Sequence, residues 1–433
     1  MISDLKFSDR TNWKLARNQF TQALEEVRAG GARVLDLTVS NPTRAGLHFD
    51  ERAILGALAS PRAMDYDPQS KGLLQAREAV AGYYRSAHEI RDLDAERIVL
   101  TTSTSEGYSF VFRLLCNAGD ELLVPKPSYP LFEFLADLED VRLVPYPLIY
   151  DHGWQMDFPS LEKAVTARTR GVVVVHPNNP TGSFVQGGEV EMLNSFCREH
   201  ELAVIADEVF LDYGLKTSEA KAPPQEAPNR SAESAALPKR GAPAKSEAPP
   251  KSEEGDGRHR SFAGNEDVLT FALSGLSKIA ALPQMKVAWV VTSGPRDLAG
   301  AAMERLEVIA DTYLSMNAPV QWAVPALLGQ RENIQRQLLE RVQENLRELD
   351  RQLAGEKACQ RLKVQGGWYA VLRVPVTRSD EELAIELVRE QSVLVHPGHF
   401  YDFPSDGYLV LSLITPRGEF AEGIGEVLKK LSS

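Results

Sequence analysis

The chain has 433 residues, of which 43% are hydrophobic and 25% are charged, and its formal net charge is -12 at pH 7. This length is more than one ordinary domain needs, and the composition is typical of a globular protein. The acidic balance disfavours nucleic acid as a partner, because it repels a polyanion, although a local basic pocket can still hold one phosphate.

The cysteines and the N-terminus exclude several further classes. Cys116, Cys197 and Cys359 are far apart and form no CxxC pair, so the sequence predicts neither a disulfide framework nor a metal site. The first residues, 1–6, lack the basic start and apolar core of a signal peptide. No apolar run approaches the roughly 20 residues of a membrane span. We therefore expect a cytoplasmic protein without a membrane segment.

Strand-like and helical patterns alternate through the middle of the chain. The valine-rich run 171–175 is typical of a strand buried on both faces. The predicted strands are 97–101, 121–124, 141–145, 171–175, 202–206, 268–273 and 286–292, and the predicted helices between them are 106–116, 129–138 and 190–200. Such alternation indicates an α/β fold, with a mostly parallel sheet of the seven-stranded type flanked by helices.

The character of the sequence changes after residue 318. A long, charged, amphipathic helix is predicted over 330–353. It is followed by predicted elements at 369–374, 380–390, 393–396, 408–413 and 419–431. We therefore predict a large domain over 46–317, a smaller α+β domain over 318–433, and an N-terminal segment, 1–45, that packs with the smaller domain.

Residues 216–264 do not fit either domain. The segment is dense in Pro, Ala, Ser, Glu and Lys, so it has too little apolar surface to offset the entropy lost on ordering. We predict a disordered surface insertion without a role in the core, and a docking or lid role is the alternative.

Four residues along the chain, Tyr129, Asn179, Asp207 and Lys278, together match the chemical groups of one cofactor, pyridoxal 5'-phosphate (PLP). Lys278 can form an imine with the cofactor aldehyde and then shuttle a proton, provided that burial keeps its amine neutral. Asp207, at the end of a predicted strand, can keep the ring nitrogen protonated and so make the ring an electron sink. Asn179 can hydrogen-bond the ring oxygen, and Tyr129 can stack on the ring. Each has an ordinary structural explanation alone, but together they favour PLP binding.

The phosphate of such a cofactor requires backbone N–H donors. Thr104 and Ser105 lie where a predicted strand passes into a helix, and a helix N-terminus favours an anion. We expect their N–H groups to point at the phosphate. An ordinary Ser/Thr helix cap is the alternative interpretation.

With these motifs, the chain resembles the fold-type I PLP enzymes of the class I/II aminotransferase group, from Leu35 to the last helix apart from the insertion. The resemblance implies the roles given above for Lys278, Asp207, Asn179 and Tyr129. It also implies phosphate contacts from Ser274 and Ser277 beside those of Thr104 and Ser105. Tyr66 resembles the tyrosine that reaches the phosphate of the neighbouring subunit, which implies a homodimer with composite active sites.

Three positions depart from the pattern of the family. Phe210 replaces a tyrosine, so one hydrogen bond to the ring oxygen should be absent. Lys286 replaces an arginine among the cofactor-binding residues and offers a point charge rather than a fork. Val410 stands where the family places the arginine that clamps the substrate carboxylate. Arg417 or Arg373 could substitute, and we take Asn179 and Arg417 as candidate substrate-binding residues.

The leading hypothesis is a transaminase that exchanges an amino group between an amino acid and a 2-oxo acid by a ping-pong mechanism. A PLP-dependent lyase that eliminates at a carbon–sulfur bond would use the same residues. A PLP-binding protein without turnover is the third hypothesis, since the usual carboxylate arginine is replaced by Val410.

Overall fold

The computed structural model describes residues 6–13, 18–215 and 260–432. Within them the longer helices are α1 (Gln19–Ala29), α2 (Glu51–Leu58), α3 (Leu74–His88), α4 (Thr104–Leu115), α5 (Leu131–Leu138), α6 (Phe158–Ala164), α7 (Gly187–Glu199), α8 (Leu276–Ile279), α9 (Arg296–Tyr313), α10 (Ala318–Gly329), α11 (Arg331–Leu353), α12 (Asp380–Gln391) and α13 (Arg417–Ser432). None of the described helices is long and apolar enough to cross a bilayer.

The strands form one large sheet, one small sheet and one short pair. They are β1 (Leu35–Asp36), β2 (Ile98–Thr101), β3 (Glu121–Lys126), β4 (Arg142–Tyr150), β5 (Trp154–Met156), β6 (Thr169–Val175), β7 (Ala203–Asp207), β8 (Thr270–Gly275), β9 (Ala288–Ser293), β10 (Gln360–Arg361), β11 (Tyr369–Arg373), β12 (Val393–Leu394), β13 (His396–Pro397) and β14 (Tyr408–Ser412).

The large sheet has the order β2-β9-β8-β7-β6-β3-β4-β5. The pairs from β8 through β4 are parallel, whereas β9 runs antiparallel to both of its neighbours and β5 folds back on β4. Residues 172–175 of β6 are buried, as a valine run between two helical layers requires. The predicted α/β class with a mostly parallel sheet is confirmed, and the β5 hairpin adds an eighth strand that the sequence analysis did not predict.

The parallel strands bring the ends of β6, β7 and β8 to one edge of the sheet. Val175 lies opposite Asp207, and Asp207 lies opposite Leu273. Because ligands bind beyond the carboxyl ends of parallel strands, the loops that follow these strands form the natural site. Asn179 lies in the loop after β6, and Lys278 lies in α8, directly after β8, so both are within four residues of a strand end.

The small sheet is antiparallel, in the order β10-β11-β14-β13. Its core is shared with α11, α12 and α13, and Phe20 of α1 is part of that core. β1 pairs in parallel with β12, so the segment that follows α1 is tied to the small domain through Leu35 and Asp36.

The end of the predicted insertion needs a correction. Most of 216–264 lies outside the described residues, but residues 260–264 are described and include a 3₁₀ helix, Phe262–Gly264. Phe262 is buried, and its N–H donates to Glu208 at 2.5 Å, while the Ser261 hydroxyl donates to the same carboxylate at 2.6 Å. The chain therefore rejoins the core at about residue 260, because a buried carboxylate holds it there.

Candidate active site

Lys278 lies in the short helix α8, directly after the central strand β8. Its backbone is fixed from two sides, because Tyr213 Oη donates to the Lys278 carbonyl at 2.6 Å and Gln335 Nε2 donates to the Ile279 carbonyl at 2.9 Å. The Nζ atom lies 5.3 Å from the ring centroid of Trp368 and 5.7 Å from that of Phe210. The two rings shield the amine from water on this side, although their faces also attract an ammonium.

The electrostatics of Lys278 suit a nucleophilic amine. Burial lowers the pKa of Lys278, and the negative charge of Asp207 opposes that shift. A lowered pKa increases the fraction of neutral amine, which is the form that adds to a carbonyl.

Asp207 ends β7 and is held by two donors. Tyr108 Oη donates to Oδ2 at 3.1 Å, and the Val209 N–H donates to Oδ1 at 3.1 Å. Burial nevertheless raises the pKa of Asp207 to about 6, because these bonds and the nearby Lys278 only partly offset the loss of hydration. A carboxylate in this position is stabilised by a cationic or N–H-donating ligand.

The two neighbouring asparagines of the β6 loop differ in their hydrogen bonding. Asn178 Oδ1 accepts from the Thr181 hydroxyl at 2.9 Å, so its side chain holds the loop together. Asn179 is also buried, but its Oδ1 has no hydrogen-bond partner among the described residues. Because buried polar atoms are rarely left unpaired, the Asn179 carboxamide is the group that a ligand would satisfy.

Tyr129 is partly exposed, at 44% of its surface. Burial raises the pKa of Tyr129, and the nearby charge of Asp207 raises it further. The preceding residue joins the two domains, since the Ser128 N–H donates to the Tyr401 carbonyl at 2.9 Å. Tyr129 thus lies near the Asp207 carboxylate and at the boundary with the small domain.

The first turn of α4 provides free donors. Ser103 is the N-cap, and its Oγ accepts from the Glu106 N–H at 3.2 Å. The capping role therefore belongs to Ser103. The N–H groups of Thr104 and Ser105 belong to the first turn, where no helix carbonyl is available to them. Among the predicted serines, Ser274 is buried with its Oγ 3.4 Å from the Glu208 carbonyl, and Ser277 is half-buried in α8.

The remaining predicted residues lie at the surface. Lys286 is exposed in a left-handed turn, with a φ of 53°, so β9 begins two residues later than predicted. Tyr66 is 81% exposed. Arg417 forms an ion pair with Glu344 at the exposed start of α13. The Arg373 guanidinium lies over aromatic rings at the exposed end of β11. Among the described residues, neither arginine forms an ion pair with Asp207.

Three positioning residues were missed in the sequence analysis: Tyr108, Tyr213 and Gln335. Tyr108 lies one turn after Thr104 on α4, so a helical spacing of four could have identified it. Tyr213 and Gln335 act on a backbone that is distant in sequence, and no local pattern signals them.

These features fit PLP. A desolvated lysine amine, a buried carboxylate that gains from a protonated nitrogen, a buried asparagine carboxamide and a helix N-terminus lie beyond the same edge of the sheet.

A family model for aminotransferase class I and II matches residues 32–416. The chain belongs to this family. Similar proteins include the glutamate-pyruvate aminotransferase AlaA of Escherichia coli strain K12, which is 26% identical over 88% of this chain and 87% of its own length. The alanine aminotransferase of Mycobacterium tuberculosis strain H37Rv is 27% identical over 94% of this chain and 88% of its own.

Solved structures of other aminotransferases have the same fold as this aminotransferase. An alanine aminotransferase from Pyrococcus furiosus matches with a TM-score of 0.82 and 21% identity, over 99% of this chain and 100% of that chain. An Escherichia coli aminotransferase matches with a TM-score of 0.79 and 23% identity, over 100% and 99%. The predicted family, the transaminase class and the PLP cofactor are thereby confirmed.

Proposed function

We propose that this aminotransferase exchanges an amino group between an amino acid and a 2-oxo acid by a ping-pong mechanism, with Lys278 as its catalytic residue. The observation that carries the assignment is the pairing of a desolvated amine with a buried carboxylate across adjacent parallel strands. Lys278 and Asp207 perturb each other's pKa, so they lie close enough to act on one ligand.

PLP, when bound, supplies a ring that withdraws electrons from the substrate Cα. Lys278 Nζ would hold the cofactor, and its neutral amine would move a proton from the substrate Cα. Asp207 would keep the ring nitrogen protonated, and Tyr108 holds the Asp207 carboxylate in place. Asn179 Nδ2 would donate to the ring oxygen, and Tyr129 would shield the ring from water.

The phosphate would be held by several weak donors. We assign it to the N–H groups of Thr104 and Ser105, the hydroxyls of Ser274 and Ser277, and the charge of Lys286. Support comes from the helix N-terminus and from the location of both serines around α8. Tyr66 is exposed within the monomer, which suits a side chain that completes the site of a second copy, so we propose a homodimer.

The substrates are suggested by the relatives. The names of two of them refer to alanine, glutamate and pyruvate. We propose L-alanine or L-glutamate as the amino donor, with pyruvate or 2-oxoglutarate as the acceptor. The cytoplasmic location stays a prediction from the sequence.

The experiment is a half-reaction followed by absorbance. Holoenzyme mixed with single amino acids should convert to the amine form of the cofactor, and a 2-oxo acid should reverse the change. Borohydride reduction and peptide mapping should place the cofactor on Lys278, and replacement of the exposed Lys363 by alanine, as a matched control, should leave the labelled residue unchanged. A label on another peptide would contradict the assignment. Thiol and 2-oxo acid release from a cysteine conjugate, without an acceptor, would instead show a lyase.

A further inference from the structure

One face of the small sheet carries the residues that would meet a substrate. In the antiparallel register, Val410 of β14 lies directly opposite Val371 of β11 and, on its other side, directly opposite His396 of β13. Residues directly opposite each other point to the same face, and alternate residues of a strand share it. Tyr369, Val371, Val410 and His396 therefore form one face of the sheet.

This face is turned toward Lys278. The ring centroid of Tyr369 lies 6.3 Å from that of Phe210, whose own centroid is 5.7 Å from Lys278 Nζ. Burial raises the pKa of Tyr369, and the nearby Tyr129 raises it further, so Tyr129 is close to the same face. A substrate bound at Lys278 would thus extend toward this face.

A substrate carboxylate requires a hydrogen-bond donor on that face. The residues of β11, β13 and β14 include two basic side chains, Arg373 and His396. Arg373 is exposed, and its guanidinium lies 5.7 Å from the ring centroid of Tyr150 and 5.8 Å from that of Tyr408. His396 is half-buried beside Val410.

We propose that His396 binds the substrate carboxylate, in the place where Val410 offers no donor. The inference rests on the proposed function, since it assumes a substrate that carries a carboxylate. His396 would then be a specificity-determining residue on the small domain, and neither Arg417 nor Arg373 would have that role.

Tyr401 links His396 to the cofactor site through two separate hydrogen bonds. His396 Nδ1 lies 3.0 Å from Tyr401 Oη, and the Tyr401 carbonyl accepts from the Ser128 N–H, next to Tyr129. Burial keeps the pKa of Tyr401 well above its ordinary value, so the phenol retains its proton and can donate it to Nδ1. The neutral imidazole then carries its own proton on Nε2, where it can donate to a carboxylate oxygen.

The chemistry predicts modest carboxylate binding. Burial lowers the pKa of His396 to about 4, although Asp36 opposes the shift, so the imidazole is neutral before the substrate binds. One neutral N–H donor holds a carboxylate less tightly than a bidentate guanidinium does. The enzyme should therefore discriminate only weakly between an amino acid and the amine that lacks its carboxylate.

The test compares three variants of the holoenzyme. His396→Leu removes the donor, His396→Gln keeps an N–H donor, and His399→Leu changes an exposed histidine three residues away. Calorimetric titration with propionate measures carboxylate binding without turnover. Half-reactions with L-alanine and with ethylamine measure kcat and KM with and without the carboxylate.

We expect His396→Leu to weaken propionate binding and to raise the KM for L-alanine by about tenfold, the effect of one lost hydrogen bond to a charged group. The kcat and the rate with ethylamine should stay within about twofold, because a single donor contact away from the reacting atoms affects binding alone. His396→Gln should recover most of the binding, and His399→Leu should match the wild type.

The outcomes separate the two proposals. Equal propionate binding and equal KM in the wild type and His396→Leu would overturn the role of His396, even if amino acids react. Propionate binding that depends on His396, in an enzyme that converts no amino acid, would support the site and refute the proposed transamination. If His396→Leu loses its cofactor, the His396→Phe variant takes its place, because phenylalanine also lacks a donor. Propionate binding equal to that of the wild type in His396→Phe, with an unchanged cofactor spectrum, would refute the role.

Discussion

Replacing Asp207 by asparagine should have opposite effects on the cofactor-free and cofactor-bound protein. Without the cofactor, burial raises the pKa of the carboxyl from 3.8 to about 6. A difference of this size means that ionised Asp207 is disfavoured in the folded state by about 3 kcal/mol. An asparagine has nearly the same shape, and it can keep the contacts with Tyr108 and Val209. We therefore expect Asp207→Asn to raise the free energy of unfolding of the cofactor-free protein by up to about 3 kcal/mol at pH 7.5.

The stability difference between the wild type and Asp207→Asn should depend on pH. The folded state keeps the Asp207 proton up to about pH 6, whereas the unfolded chain loses it near 3.8. Between these values the folded state binds more protons, so the wild type loses stability relative to Asp207→Asn as the pH rises. The difference should be near zero at pH 4 and complete above pH 7. Urea unfolding of cofactor-free protein at a series of pH values measures it.

Asp120→Asn provides a matched control, for which the change in the free energy of unfolding should have the opposite sign. Asp120 is buried too, but a hydrogen bond from the Asn117 N–H lowers its pKa, and Arg170 adds to that effect. Its replacement should destabilise the protein, and more so above the unfolded pKa near 3.8, because the stabilising charge is then lost. If both variants shifted stability in the same direction at pH 7.5, the assignment of Asp207 as a costly buried charge would be refuted.

With PLP bound, the Asp207→Asn substitution should no longer stabilise the protein. A protonated ring nitrogen would be left without its carboxylate, and breaking such a buried pair costs about 3–5 kcal/mol. We expect PLP affinity to fall by at least about 100-fold and the half-reaction with L-alanine to slow strongly. Unchanged PLP affinity in equilibrium dialysis would show that Asp207 does not meet the ring nitrogen.

Three further predictions concern neighbouring residues. Lys278→Ala should abolish borohydride labelling and the half-reaction while PLP still binds noncovalently, and residual turnover above about 1% would argue for another base. Tyr108→Phe removes one donor to Asp207, so PLP affinity should fall about fivefold in a spectroscopic titration, and an unchanged value would mean that the bond is dispensable. Gly275→Ala would place a Cβ 2.8 Å from the Val287 carbonyl oxygen, so urea unfolding should show a loss of about 1–3 kcal/mol, which a well-tolerated variant would disprove.

The sequence was most informative where a run of apolar residues forms a buried strand and a polar residue lies at or after its end. The valine run of β6 predicted a buried parallel strand, and Asp207 followed the next such strand. Because the ends of parallel strands meet at one edge, linear order was enough to predict a shared location for Asn179, Asp207 and Lys278. The shared location of these residues was therefore predictable even though no distance was.

Contacts between remote segments could not be predicted in this way. Tyr108 reaches Asp207 across 99 positions of the chain, and Tyr213 holds the carbonyl of Lys278 across 65. The predicted insertion extended to 264 because its composition is polar, but Phe262 is buried through a hydrogen bond to Glu208. Composition describes a whole segment and does not register one buried residue, so it places the end of the insertion too late in the chain.

The carboxylate-binding residue shows why proximity along the chain is a poor guide. Arg417 follows β14 by five residues, which made it a natural substitute for a residue at Val410. The chain turns into α13 at that point, and the Arg417 side chain pairs with Glu344. His396 is 14 positions away, yet the antiparallel register sets it beside Val410 on the face toward Lys278. Sheet register, which a single sequence does not reveal, decides which side chain can meet the substrate.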